Sequence, residues 1–396
     1  MTRPETGAPY ASWIFLALIA ITPLSAYLWP YGLAAFTPIA AILLIPVFRT
    51  GRPNVAWTAL LLFGLYAVVA TLWSPVFVAQ GSVEAYADAE RQTWGKVVMN
   101  LGLYAVLVIV AARLPVHTLQ RLAKVFMVGT TALGAVLLLE AIWGTRLYHL
   151  LTTASGDGMT PDLERRNVAQ GTYALALMYW PAMTLLLNRG RKASAMVLTV
   201  AVVAAPILLH AWAPVAAFAV GGVAYWLMQR WGDRAALAIS AGLAIVILLS
   251  PWVVLALGGA LEWAGDHMGA SWAARLDIWS FTAEQTLRHP IFGWGLDASR
   301  AFQPFMLHPH SAPMQIWLEL GLVGAVLFAV VWFLIFRRAA AIGPQGLAAA
   351  VAYFVIGALS FGVWQEWWLG LAAMTAVWVM IADARLMPKS ETVIEA

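Results

Sequence analysis

The chain has 396 residues, of which 62% are hydrophobic and only 11% are charged, and its mean hydropathy is +0.79. Soluble domains carry roughly 25% charged residues, so the composition excludes an ordinary soluble protein and indicates a membrane protein with several spans. Because cysteine is absent, disulfides and thiolate metal sites are excluded. The net charge of +4 is dispersed along the chain, so we expect no nucleic-acid partner.

The apolar segments predict an all-α integral membrane protein, with residues 1–396 forming a single polytopic domain. A helix crosses the hydrocarbon layer with about 20 apolar residues. Twelve spans are predicted on this basis, at 12–29, 31–48, 55–73, 97–112, 119–143, 168–187, 195–210, 213–229, 236–257, 313–336, 346–363 and 366–384. If both termini are cytoplasmic, most of the 23 lysines and arginines lie in cytoplasmic segments. Because cytoplasmic loops of membrane proteins are enriched in these residues, this orientation is predicted.

Two of the loops that this topology places outside carry candidate site residues. The loop at 144–167 ends in Arg165 and Arg166, immediately before a span. The loop at 258–312, between spans nine and ten, is the largest and contains a predicted amphipathic helix over 271–289, which Pro290 ends. One face of this helix is an apolar stripe formed by Trp272, Leu276, Trp279, Ala283 and Leu287. The stripe predicts that the helix lies on the membrane surface or on the helical bundle.

Two arginines of this amphipathic helix differ in their surroundings. Arg275 borders the apolar stripe and has no acidic residue three or four positions away, which favours contact with an anionic ligand. The alternative is that Arg275 extends to phospholipid headgroups. Arg288 follows Glu284 by four residues, which favours a surface ion pair and leaves Arg288 a secondary candidate for substrate binding.

Two histidines, His308 and His310, lie where the chain returns to the tenth span. A histidine at the water end of a helix is commonly just an interfacial polar residue. Three supporting features indicate more than that. Ser311 can cap the following helix, Glu319 inside the span requires a polar partner, and Gly321 and Gly324 allow close helix packing. These features do not choose between the two histidines.

The spacing of these residues resembles the O-antigen ligase family, within the larger group of O-antigen ligases and lipid-linked polysaccharide polymerases. The family motif is His, then Asn, Ser or Gln, then nine residues, then Gly-x-x-Gly, and it selects His310 over His308. The residues that carry the resemblance are Arg275, Trp279, Pro290, Gly293, Gly295, His310, Ser311, Gly321 and Gly324. The turn between spans seven and eight departs from many relatives, because residues 210–214 lack the Ser-Arg pair found there.

The resemblance implies a GT-C-like fold and a multi-pass protein of the Gram-negative inner membrane with a periplasmic active site. The implied reaction transfers a glycan from undecaprenyl diphosphate to lipid A–core, with no metal or cofactor. His310 is then the general base or the group that orients the acceptor, since imidazole is partly unprotonated near neutral pH. Arg275 is a catalytic group that also binds the diphosphate, since guanidinium binds phosphate bidentately. Arg165 or Arg166 is expected to assist in binding the diphosphate or glycan, and His308 is expected to contact the substrate in a supporting role.

Two other functions stay open at this point. A polymerase of the same group would join lipid-linked repeat units to each other, and the acceptor alone separates it from a ligase. A transporter is the more distant alternative. Transporters usually show repeated halves and polar residues at mid-membrane, and this sequence has neither clear repeats nor many charges within its spans.

Overall fold

The structure is a computed structural model that describes residues 8–49, 54–76, 93–156, 158–267, 269–302 and 308–383. Within these ranges the regular elements are helices. We number the α-helices α1 Ala8–Leu28, α2 Leu33–Leu44, α3 Val55–Val69, α4 Thr93–Ala111, α5 Val116–Trp143, α6 Arg146–Ala154, α7 Pro161–Asn188, α8 Lys192–Leu208, α9 Trp212–Trp231, α10 Asp233–Ala256, α11 Gly258–His267, α12 Ala270–Arg288, α13 Ala312–Ala340, α14 Pro344–Leu359 and α15 Glu366–Ile381. An all-helical architecture is therefore confirmed for the described residues.

Each of the twelve predicted spans coincides with a helix. Seven helical segments are long and apolar enough to cross a membrane: Pro9–Leu28, Pro30–Val47, Val55–Trp73, Thr93–Ala111, Val116–Trp143, Asp233–Ala256 and Ala312–Ala340. The apolar helices α8, α14 and α15 are shorter. An integral membrane protein is therefore supported, while twelve crossings and their orientation stay predictions. The terminal residues 1–7 and 384–396, which the topology places in the cytoplasm, lie outside the described residues.

The loop predicted at 258–312 contains α11, α12 and a 3-10 helix at Ala298–Ala301. The helix predicted over 271–289 is α12, and it ends just before Pro290 as expected. It contacts α10 and α13, and its Leu276 and Ala283 are buried, whereas Leu287 is exposed. The amphipathic helix therefore packs on the helical bundle next to the start of α13.

Helix α13 is interrupted at Gly321, whose φ of 60° and ψ of −158° are not helical. An interruption leaves backbone groups without helical partners, and in a membrane they must be satisfied by protein. The segment 290–295 supplies these partners. The four bonds join Trp294 N to Leu318 O at 2.9 Å, Gly295 N to Glu319 O at 2.8 Å, Leu322 N to Pro290 O at 2.8 Å and Val323 N to Ile291 O at 3.2 Å.

This interruption explains both glycines of the Gly-x-x-Gly motif. A β-carbon on Gly321 would lie 2.5 Å from the backbone nitrogen of Gly293, and one on Gly324 would lie 2.1 Å from the β-carbon of Leu320. The expectation that these glycines serve close packing of helix against helix is therefore corrected. Gly321 admits an extended segment into a broken helix, and Gly324 makes room for the displaced turn that precedes it.

Candidate functional site

The imidazole of His310 is fixed by the connection between α14 and α15. Its Nδ1 lies 3.0 Å from the carbonyl oxygen of Ser360. A carbonyl oxygen only accepts hydrogen bonds, so Nδ1 carries the hydrogen, and Nε2 of the neutral ring keeps its lone pair. Burial lowers the pKa of His310 below its ordinary value of 6.5, the nearby charge of Arg275 lowers it further, and the Ser360 bond opposes both. At neutral pH the ring is therefore neutral, with Nε2 able to accept a proton.

His308 has both ring nitrogens engaged. Nδ1 lies 3.1 Å from the backbone nitrogen of His310, and Nε2 lies 2.9 Å from the side-chain amide of Gln365. The two imidazole rings are 4.3 Å apart between centroids. Burial is the main cause that lowers the pKa of His308 to about 3, followed by the charges of His310, Arg300 and Arg275. His308 is therefore a neutral hydrogen-bonding group rather than a titrating one at neutral pH.

Arg275 provides positive charge beside this pair. Its guanidinium carbon lies 5.0 Å from the ring centroid of Trp272, and its Nε is buried without a hydrogen-bond partner. Across the described ranges, no carboxylate oxygen lies within 4.0 Å of it. Burial lowers the pKa of Arg275, but an arginine stays protonated at neutral pH. A desolvated cation without a counterion is suited to bind an anion.

Glu319 is completely buried in α13 and accepts four hydrogen bonds. The donors are Asp297 N at 3.0 Å, Ser299 Oγ at 2.9 Å, Gln315 Nε2 at 2.9 Å and Trp364 Nε1 at 2.7 Å. The partner that the sequence requires for this carboxylate is thus a set of neutral donors. Glu319 forms no hydrogen bond with His310, so any effect it has on that ring is indirect.

The indirect connection runs through the 360–365 segment. Gln315 donates to Glu319 and accepts from the backbone nitrogen of Val363 at 2.9 Å, and Trp364 donates to the same carboxylate. Gln315 and Glu319 thus hold the 360–365 segment, and the Ser360 carbonyl of that segment binds His310. From the other side, Trp279 Nε1 donates to the carbonyl oxygen of Pro309 at 3.0 Å. The histidines are therefore held between α12 and the α14–α15 connection.

Ser311 is the residue immediately before α13, as predicted, but its side chain makes no capping hydrogen bond. Its carbonyl oxygen instead accepts from the backbone nitrogen of Gln315 at 2.9 Å. Pro313 in the first turn has no N–H, so one of the donors that a cap would satisfy is missing. The predicted role of Ser311 as a side-chain cap is therefore wrong.

Arg165 and Arg166 both pair with Asp162, at 2.6 and 3.2 Å, near the start of α7. Arg165 also donates to Nδ1 of His210, at the turn between α8 and α9. This is the turn whose sequence lacks arginine, so a guanidinium from α7 lies where the turn itself provides none. Arg166 is more exposed, with 74% of its side chain accessible against 36% for Arg165.

Of the two remaining arginines of the 258–312 segment, Arg300 forms an ion pair with a described residue and Arg288 does not. Arg288 is exposed at the end of α12, and the ion pair expected with Glu284 does not form in the described part of the chain. The spacing permits such a pair, but exposed side chains gain little from it. Arg300 pairs with Asp297 at 3.0 Å, and its charge reaches His308. Arg288 is thus not brought into contact with the histidines by any bond described for it.

Sequence reasoning missed Ser360, Gln315, Trp364 and Gln365, which fix the two histidines. A weak signal existed in the short polar interruption at Gln365 and Glu366 between the last two predicted spans. Nothing in the local sequence connects that interruption to a motif about 50 residues earlier. Among the described residues, no group of three or more His, Asp or Glu is placed to hold a metal ion.

Comparisons with known proteins agree with the motif. Residues 196–329 match the family model described as O-Antigen ligase, which spans α8 to the middle of α13. Proteins named "Putative polysaccharide ligase" from Rickettsia conorii (strain ATCC VR-613 / Malish 7) and Rickettsia felis (strain ATCC VR-1525 / URRWXCal2) are each 26% identical over 248 residues. A relative of the same name from Rickettsia prowazekii (strain Madrid E) is 24% identical over 249 residues.

These alignments cover 57% of this chain and 59% to 60% of the relatives, so the chain matches about three-fifths of their length. The family model includes Arg275, His310 and both motif glycines, whereas Arg165 and Ser360 lie outside its range. The resemblance to the O-antigen ligase family that the motif predicts is therefore confirmed.

Proposed function

We propose, from this family resemblance and from the geometry around His310, that the protein is a lipid-linked glycan ligase. The reaction moves O-antigen or a related glycan from undecaprenyl diphosphate to lipid A–core oligosaccharide, at the periplasmic face of the Gram-negative inner membrane. The observation that carries the proposal is the neutral His310, whose Nε2 is left free to accept a proton while Arg275 lies close enough for its charge to lower the pKa of the ring.

The chemistry needs a base for a neutral hydroxyl and a cation for a diphosphate. The acceptor hydroxyl oxygen bonds to the anomeric carbon of the donor sugar as its proton passes to His310 Nε2. The bond from that carbon to the diphosphate oxygen breaks, and undecaprenyl diphosphate leaves with the electron pair. Arg275 stabilises the charge that develops on the leaving diphosphate.

Arg165 is the second cation of this proposal. Arg165 contacts His210 at the turn where many relatives carry an arginine. This position favours Arg165 over Arg166 as the group that approaches the donor. Arg166 and Arg288 are then peripheral, and membrane lipids surround the donor's polyprenyl chain. The reaction as written uses only groups of this chain and needs no metal or nucleotide.

The test is reconstitution of the full chain in liposomes with a donor of undecaprenyl-diphosphate glycan and lipid A–core acceptor, with and without chelator. Transfer is expected in both conditions, and His310→Ala should lower it by about 100-fold or more. His267→Ala, on the exposed α11, is the matched control. Wild-type transfer by His310→Ala would exclude the general-base role. Extension of the lipid-linked donor, without product on lipid A–core, would identify a polymerase instead.

A further inference from the structure

The backbone of His310 adopts the left-handed conformation, with φ at 55°. Residues other than glycine adopt this conformation uncommonly, because it strains the backbone unless neighbouring groups compensate. The Ser360 bond holds only the ring. A group that fixes the backbone of His310 would therefore also fix the direction of Nε2.

His308 is that group in the structure. Its Nδ1 is 3.1 Å from the backbone nitrogen of His310, two residues later, which is the contact an asparagine side chain makes in an Asx turn. The backbone nitrogen is the donor, so Nδ1 of His308 must accept. This requires the neutral tautomer with its hydrogen on Nε2.

Gln365 can support this tautomer with its side-chain oxygen. The amide nitrogen of Gln365 is placed 2.9 Å from Nε2 of His308, but the oxygen and nitrogen of an amide are interchanged by a half-turn of the group. Because Nε2 carries the hydrogen, the amide oxygen must accept it, and the amide takes the orientation that places its oxygen toward the ring. In that orientation the Gln365 oxygen, which is otherwise buried without a partner, gains its hydrogen bond.

We propose that His308 is a positioning residue, which holds His310 in its left-handed turn through Nδ1, while Gln365 keeps Nδ1 able to accept. The inference rests on the proposed function, in which the direction of His310 Nε2 sets the rate. It differs from the expectation that His308 binds substrate, because both of its ring nitrogens already have protein partners.

Two substitutions separate the two bonds. In His308→Asn the side-chain oxygen lies where Nδ1 was and can accept from the backbone of His310, whereas in His308→Gln the amide lies where Nε2 was. We expect His308→Asn to keep kcat within roughly threefold of wild type, and His308→Gln and His308→Ala to lower kcat roughly tenfold or more with little change in KM. The assay is the liposome transfer reaction, with thermal unfolding midpoints to compare folding.

Other kinetic outcomes would overturn the proposal. A raised KM with unchanged kcat in all three variants would make His308 a substrate ligand. Higher kcat in His308→Gln than in His308→Asn would show that the Gln365 bond, not the turn, is what matters. Wild-type rates in His308→Ala would remove any role.

A second measurement does not depend on activity, so it separates failure of this inference from failure of the proposed function. Nitrogen-15 spectra of the imidazoles in the full chain distinguish the two neutral tautomers, and the chain has seven histidines to assign by substitution. We expect the Nε2–H form for His308 and the Nδ1–H form for His310, with the latter kept in His308→Asn and lost in His308→Ala. An Nδ1–H form for His308, or an unchanged His310 in His308→Ala, would contradict the proposal.

Discussion

Gly293 and Gly321 meet backbone to backbone, so closely that a β-carbon on Gly321 would lie 2.5 Å from the nitrogen of Gly293. This contact inserts the segment after α12 into the interruption of α13. It places Asp297 N at Glu319, whose carboxylate also binds Gln315 and Trp364. The close approach of the two glycines therefore brings Glu319 and its partners together. These partners position the 360–365 segment, whose Ser360 carbonyl binds His310.

Gly321→Ala should strongly destabilise the protein. The added carbon would contact two backbone groups that cannot move aside, and the positive φ adds strain. We expect a loss of about 2 kcal/mol or more, measured as a lowered unfolding midpoint in detergent. Gly242→Ala is the matched control, because a β-carbon there meets nothing within 4 Å and a helix favours alanine. Equal stability of the two variants would show that the interruption tolerates a side chain.

Glu319→Gln should also destabilise the protein, although the two side chains have the same shape. Glutamine keeps one accepting oxygen and turns a donating amide toward groups that also donate, such as Asp297 N or Trp364 Nε1. A buried donor that is left without a partner costs about 1–3 kcal/mol. The measurement is denaturant or thermal unfolding, with the exposed Glu262→Gln on α11 as control. An unchanged midpoint in Glu319→Gln would contradict a requirement for all four accepted hydrogen bonds.

Arg275→Lys should lower kcat for transfer at least about tenfold, since an ammonium cannot form the bidentate contact of a guanidinium with a diphosphate. Arg230→Lys is a suitable control, because Arg230 also lies over a tryptophan, Trp231, with 5.9 Å between guanidinium carbon and ring centroid. Full activity in Arg275→Lys would show that a point charge is sufficient, and the assay is transfer at saturating donor.

The rate of transfer should decrease at acidic pH, and this decrease should occur below the ordinary pKa range of histidine. His310 must be unprotonated to accept a proton, and burial together with Arg275 lowers its pKa. The rate should therefore fall to half its plateau only at a pH below about 6.5, the ordinary pKa of histidine. In Arg275→Gln the neighbouring positive charge is lost, so the acidic limb should move to higher pH. The measurement is kcat/KM against pH, and an unmoved limb in Arg275→Gln would exclude this coupling.

Local physics in the sequence determined much of this molecule. Runs of apolar residues specify helices wherever they are long enough, and α12 ends before Pro290 because proline cannot continue a helix. The resemblance to the family motif selects His310, and the absence of an acidic residue three or four positions away distinguishes Arg275. These features depend on neighbours within a few turns, which is the range over which a sequence pattern carries information.

Only the tertiary structure decided how the site is held. Gln365 and Ser360 bind histidines that precede them by 57 and 50 residues. Gly321 reads as a packing glycine until the 290–295 segment is seen to supply the hydrogen bonds that α13 lacks. A carboxylate inside a span indicates from the sequence that polar partners are needed. Four neutral donors from three separate segments bind Glu319 only once the chain has folded. The reason is that the hydrogen bonds of a buried group depend on the whole tertiary arrangement.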